Sequence, residues 1–174
     1  MTTSAADASP LALFLAHALA LENDAAERYA ELADSLAVHN NPEVAQLFRT
    51  LGAYSRRHHQ EVAGIAESVG HIPRLAPWEF SWYTPEPPET SAFDGTNYLM
   101  TPRDALELAL TAEQQGYNYY AAAAERAADP EVKRLATHFA EEEAAHVRTV
   151  ASWLARFPES GPRPDDLDPP QELE

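Results

Sequence analysis

Residues 129–146 read DPEVKRLATHFAEEEAAH. The segment opens on Asp129, a residue type that caps helices, and on Pro130, which suits a first helical position. No further Pro occurs up to Phe157. Glu143-Ala144-Ala145-His146 lies deep in this run. Residues three apart project from one face of a helix, so Glu143 and His146 offer an oxygen and a nitrogen to one point. A divalent transition metal accepts that pair of donors. Alone, such a pair is common on a solvated acidic helix. Its weight comes from repetition.

Asn41-Pro42-Glu43-Val44 matches Asp129-Pro130-Glu131-Val132, and a constant offset of 88 then pairs Leu47 with Leu135 and Leu51 with Phe139. The same offset pairs His58 with His146 and Val62 with Val150. A second pairing, at an offset of 91, sets Glu22 against Glu113 and Tyr29 against Tyr120. The chain therefore reads as one helical hairpin written twice. Ser55 falls opposite Glu143, where the repeat breaks.

Working outward, Pro10, Pro42, Pro102 and Pro130 each follow a capping residue: Ser9, Asn41, Thr101 and Asp129. Thr101 and Asp104 have the spacing of a capping box. The pattern predicts four helices over 10–38, 42–69, 102–128 and 130–156. Each carries an apolar stripe at helical spacing, broken near its middle by polar residues. The breaks are Glu22 in the first helix, Ser55 and His58 in the second, Glu113 in the third, and Glu143 with His146 in the fourth. Glu22, Ser55, Glu113 and Glu143 fall roughly 16–20 Å from their helix starts at 1.5 Å per residue. Buried charges must be paired or bind metal, so polar residues at one level of four helices, with carboxylates on three of them, point to a buried polar centre.

The stretch 71–101 has no helical pattern and is rich in Pro and aromatics, among them Trp78, Phe80, Trp82, Tyr83, Phe93 and Tyr98. It is read as a crossover along the bundle between two hairpins related by a two-fold axis. Its aromatics would pack on the outside of the bundle, form a dimer interface or line a route inward. A homo-oligomer, in its simplest form a dimer, is the expected assembly.

One domain over residues 1–157 accounts for most of the 174 residues, with an acidic, Pro-rich, poorly ordered tail over 158–174. The net charge of −16 argues against nucleic acid and anionic membrane as partners. The apolar run Leu11 to Leu21 is too short to span a bilayer and lacks a basic residue before it, so it reads as the start of a buried helix. The absence of Cys excludes a disulfide scaffold, a zinc knuckle, a rubredoxin-type iron centre and a thiol nucleophile. It suits a reducing compartment, and a cytoplasmic location is expected.

The pattern resembles the ferritin-like superfamily, and within it rubrerythrin-like diiron-carboxylate proteins without a rubredoxin domain. The resemblance implies an all-α, ferritin-like four-helix bundle. In the family, one Glu from each of helices 1 and 3 and a Glu-x-x-His from each of helices 2 and 4 surround two metals. Carried over, Glu22, His58, Glu113, Glu143 and His146 are the metal ligands. Tyr29 and Tyr120, one heptad past Glu22 and Glu113, resemble tyrosines found beside such sites and are the candidates for a catalytic role. Glu142 and His59 lie near the inward stripe but fit the repeat less well. Ser55 replaces the helix-2 Glu, and Gly116 stands where rubrerythrins often carry an extra helix-3 Glu. That departure and the missing rubredoxin part count against peroxidase activity. Gly116 serves close helix packing or leaves room for a small reactant.

The implied cofactor is iron, as two ions or one, with manganese or zinc also suited to mixed oxygen and nitrogen donors. Three carboxylates leave two divalent cations with a surplus positive charge, which is costly in a low-dielectric core. The second hairpin keeps Glu113, Glu143 and His146, the first only Glu22 and His58, so the first metal is expected mainly on helices 3 and 4. Three functions follow: oxidation of iron or a small substrate with dioxygen or peroxide, metal binding without turnover, and a metal-free bundle with a buried polar network.

Overall fold

The computed structural model describes residues 8–38, 42–76, 79–80 and 101–157. Four helices follow one another: α1 (Pro10–Val38), α2 (Pro42–Val69), α3 (Pro102–Arg126) and α4 (Pro130–Leu154). The described residues contain no strand, and the protein is all-α. α1 packs on α2 and α3 on α4, giving two hairpins in a four-helix bundle.

The helix starts are built as the capping residues require. Ser9 Oγ accepts the Ala12 backbone N–H at 3.1 Å. Thr101 and Asp104 form the reciprocal capping box, with Asp104 N–H donating to Thr101 Oγ1 at 3.2 Å and Thr101 N–H to Asp104 Oδ2 at 2.9 Å. Asp129 accepts from the N–H groups of Glu131 and Val132. Asn41 lies outside the described residues.

Two helix ends fall short of their sequence-based positions. α3 stops at Arg126 rather than 128, because Ala127 is already extended at φ −63°, ψ 119°. The chain needs those residues to bring Asp129 into the extended conformation that a residue before Pro adopts. α4 ends at Leu154 rather than 156, with the last turn tightening into i,i+3 bonds from Arg156 N–H to Trp153 O and Phe157 N–H to Leu154 O.

The apolar stripes meet in two clusters. One joins the C-terminal half of α1 to the N-terminal halves of α2 and α3 through Leu32, Leu36, Phe48, Leu51 and Leu106, with Val150 from the end of α4. The other joins the N-terminal half of α1 to the C-terminal halves of α2 and α3 and the start of α4 through Phe14, Leu15, Val62, Tyr120, Leu135 and Phe139. α1 is therefore antiparallel to α2 and α3 and parallel to α4. α2 ends at the second cluster while α3 begins at the first, so the two helix ends to be connected lie at opposite ends of the bundle. Of its aromatics, Phe80 is described, and its ring packs edge-on against His17 of α1 at 5.3 Å. Residues 77–78, the stretch 81–100 and the acidic tail 158–174 lie outside the described residues. Between the apolar clusters sit six buried or nearly buried polar residues: Glu22, Ser55, His58, Glu113, Glu143 and His146.

Candidate metal centre

The two apolar clusters act as plugs above and below this polar layer. Glu22, His58, Glu113 and Glu143 are all at least 96% buried, being 2%, 2%, 4% and 2% exposed. His146 is the most open member, its side chain 11% exposed. All five predicted ligands are brought together.

Their geometry has a two-fold character. His58 Nδ1 lies 3.4 Å from Glu22 Oε1 and 3.3 Å from Glu143 Oε1. His146 Nδ1 lies 3.2 Å from Glu113 Oε2 and 3.4 Å from Glu143 Oε2. Glu22, His58 and Glu143 thus form one triad of potential metal ligands, and Glu113, Glu143 and His146 form another. Glu143 belongs to both and gives one oxygen to each. The asymmetry expected from the loss of a Glu at Ser55 is therefore reduced, because each triad has two carboxylates and one imidazole. Ser55 is buried but turns back on its own helix, its hydroxyl donating to Leu51 O at 3.4 Å.

The tyrosines complete the symmetry. Tyr120 of α3 donates its O–H to Glu22 of α1 at 2.8 Å, and Tyr29 of α1 donates to Glu113 of α3 at 2.9 Å. The heptad spacing explains this. Glu22 to Tyr29 and Glu113 to Tyr120 are equal steps along antiparallel helices, so each Tyr stands level with the other helix's Glu. Phe139 and Phe14 wall Tyr120 on the second cluster's side, with ring centroids 5.4 and 6.3 Å away. Tyr54 stacks on His146 at 5.3 Å and fixes that ring's plane.

Two observations bear on whether these residues suit a metal. First, Glu143 Oε2 and His58 Nε2 are buried and make no well-aligned hydrogen bond, although His146 Nδ1 stands 3.4 Å from the one and Glu142 Oε2 3.1 Å from the other. A buried carboxylate oxygen left in that state is costly, and a cation beside it would remove the cost. Second, the donor set of carboxylates and imidazoles is one that divalent first-row metals accept. The residues fit such an ion.

Without a cation, protons balance the charge. Burial raises the Glu113 carboxyl to about 7 despite hydrogen bonds from His146 and Tyr29 that oppose it. Burial likewise raises Glu22, against the hydrogen bond with His58. Burial acts on Glu143 in the same sense, but the adjacent His146 and His58 imidazoles overcome it and bring the group down to about 2. For the histidines, burial favours the neutral ring. Carboxylates on both sides prevail and lift His58 to about 11 and His146 to about 10. The layer is therefore a central carboxylate held between two imidazoliums.

Comparison with known proteins agrees with this architecture. A sequence model of the rubrerythrin family matches residues 14–101 and 104–165. The chain belongs to the rubrerythrin family. That family comprises ferritin-like, diiron-carboxylate proteins, and this chain's Glu and His clusters are candidate ligands of that kind. Among solved structures, the chain is similar to an uncharacterised conserved protein from Magnetospirillum magnetotacticum MS-1. The two are 43% identical, with a TM-score of 0.69, over 89% of this chain and 100% of the other. No curated protein matches. No described helix of this rubrerythrin-family chain is long and apolar enough to cross a membrane.

Other sequence-stretch expectations fall into place less fully. Gly116 is buried in α3, level with the layer. His59 is half-buried and belongs to none of the described ligand clusters. Glu142, set aside because it fitted the repeat poorly, turns Oε2 inward to within 3.1 Å of His58 Nε2. The sequence reading also passed over Glu61 and His138, which gather around the same Glu142. The available signal was the i,i+4 spacing of His138 and Glu142, with Glu61 one turn past His58 on the facing helix. A groove of about 270 Å³ lined by Pro10, Phe14, His17 and Tyr119 lies toward one end of the bundle and shares no residue with the layer.

Proposed function

We propose that this chain is a non-haem iron protein whose buried centre oxidises ferrous iron or a small substrate at the expense of dioxygen or peroxide. One observation carries the reading: three carboxylates and two imidazoles from four helices meet in one buried layer, with the two oxygens of Glu143 facing opposite halves. Glu22, His58 and Glu143 would hold one ion, and Glu113, Glu143 and His146 the other. Iron so held would supply the electron transfer to the oxidant. Manganese and zinc suit the same donors.

The chain's own groups do the rest. Tyr120 and Tyr29 fix the rotamers of Glu22 and Glu113 by donating to them, so the carboxylates need little reorganisation on binding. The apolar clusters on either side exclude water and strengthen each charge interaction in the layer. Loading would require His58 and His146 to give up their protons, so that each imidazole could offer a nitrogen lone pair. The partly exposed edge at His146 is the side from which a small reactant reaches the layer. A cytoplasmic, homodimeric protein completes the proposal.

A second reading is binding without turnover, or a metal-free network. It draws support from the contacts between the Tyr, Glu and His side chains, which nearly close on themselves. Anaerobic titration with ferrous ion, followed by exposure to oxygen, separates these readings. Oxidation of bound iron supports the proposal, binding without oxidation supports storage, and no binding leaves only the network.

A further inference from the structure

Outside the buried layer, Glu61 of α2 and His138 and Glu142 of α4 form a third cluster of potential metal ligands on the bundle surface. His138 Nε2 lies 3.2 Å from Glu61 Oε1 across the helix pair and 3.6 Å from Glu142 Oε2 one turn along α4. The three groups are partly open to solvent, with side chains 41%, 45% and 28% exposed. Exposed acids gather on many surfaces without binding anything. Here the cluster has a buried floor. His58 is 2% exposed, and its Nε2 stands 3.1 Å from Glu142 Oε2; both atoms are buried, and neither makes a well-aligned hydrogen bond. One oxygen, Glu142 Oε2, therefore lies between His138 at the surface and His58 of the buried layer.

We propose that Glu61, His138 and Glu142 form a second, surface site for a divalent cation, which passes its ion inward past His58. Two carboxylates neutralise one such cation, and one imidazole adds the nitrogen that favours a transition metal over magnesium or calcium. Open coordination positions face solvent, so a hydrated ion can bind by losing only some of its waters. Glu142 Oε2 stands 3.6 Å from His138 Nε2 and 3.1 Å from His58 Nε2, so an ion held on this oxygen reaches His58 by exchanging one ligand for another. No bond other than metal–ligand bonds forms or breaks, and no electron moves. The strong negative charge of the chain, −16, adds a general attraction for cations to this local one.

The test uses cobaltous ion as probe, in the full-length chain, with binding followed by calorimetry and visible absorption. Three proteins are compared: the parent, the surface variant Glu61→Gln/His138→Ala, and the buried-layer variant Glu143→Gln/His146→Ala, which strips a carboxylate from both buried triads. The surface substitutions fall on exposed residues, and unchanged helicity by circular dichroism verifies folding. The expected result is a binding event that the buried-layer variant keeps and the surface variant loses or weakens at least tenfold. That result stands whether or not the buried layer behaves as proposed above. A surface variant that binds the same number of ions with the parent's affinities overturns the site. Stopped-flow mixing tests the relay: filling of the buried layer should slow severalfold in the surface variant while its final occupancy is unchanged. Unaltered filling kinetics overturn the relay.

Discussion

Glu143 has two oxygens and uses both, which makes it the residue on which the two triads depend. Replacing Glu143 and His146 together by Ala takes one carboxylate from both triads and the imidazole from the second. Tight metal binding should disappear, measured as the loss of stoichiometric uptake in an anaerobic titration. Unchanged stoichiometry would reject the ligand assignment. Ser55 poses the opposite question. It is buried and level with the layer, yet its hydroxyl serves only its own helix. Ser55→Glu adds the fourth carboxylate that two divalent cations need for neutrality. In the metal-free protein the larger side chain overpacks the core, at roughly 1–3 kcal/mol, and adds an acid beside groups whose burial already resists ionisation. The variant should melt below the parent without metal and gain more from its addition. Calorimetric titration with manganous ion checks this, and no gain in the weaker binding step would count against it. This part of the site was half legible. The repeat located each ligand because a buried charge interrupts an apolar stripe, which sequence records. That one carboxylate serves both halves depends on side-chain direction across the bundle, which no spacing along a single helix encodes.

At the scale of helices, starts were more legible than ends. Pro after a capping residue fixes a start locally, and the Thr101–Asp104 and Asp129 caps formed as their spacing requires. The ends of α3 and α4 depend on where the following chain must go, and both fell two residues earlier than the apolar pattern alone suggests. Helix pairing also hides one tight contact. A Cβ placed on Gly52 of α2 would stand 3.2 Å from Tyr29 Cβ and 3.6 Å from Ala26 O of α1. The second distance is ordinary contact, but the first is tight, and Tyr29 Cβ is fixed to the backbone, so α1 must yield there by a few tenths of an ångström. Gly52→Ala should gain about 1 kcal/mol of helix propensity and lose about 1–3 kcal/mol to overpacking, for a net loss. The displaced residue is Tyr29, which holds Glu113, so the strain should reach the layer. Expected outcomes are a lower melting temperature and weaker metal uptake in the same variant. A variant more stable than the parent would show that the hairpin tolerates the added methyl group.

For the whole molecule, the buried layer couples stability to pH in opposite directions with and without metal. Consider first the metal-free protein. His58 and His146 rise from an ordinary 6.5 to about 11 and about 10, because the flanking carboxylates outweigh burial. The folded state thus binds their protons more tightly than the unfolded chain does. Their contribution is fully present below pH 6.5 and is lost as pH rises through 10 and 11. Glu113, raised by burial from 4.5 to about 7, acts in the same sense, its contribution fading as pH climbs through 7. Glu143 is the reverse case. Lowered from 4.5 to about 2, it contributes above pH 4.5 and is lost as pH falls through 2. The metal-free protein should therefore be most stable in mildly acidic solution and soften steadily from near neutrality to pH 10. A bound cation needs neutral imidazoles and ionised carboxylates, so protons compete with it. Its stabilising effect should grow over the same interval in which the metal-free protein weakens. Melting temperatures measured from pH 5 to 10, with chelator and with excess manganous ion, should diverge as pH rises. Loading near neutrality should also release protons, detectable as a calorimetric heat that changes with the ionisation enthalpy of the buffer. Curves that stay parallel across the range would mean that these histidines and Glu113 do not hold the metal.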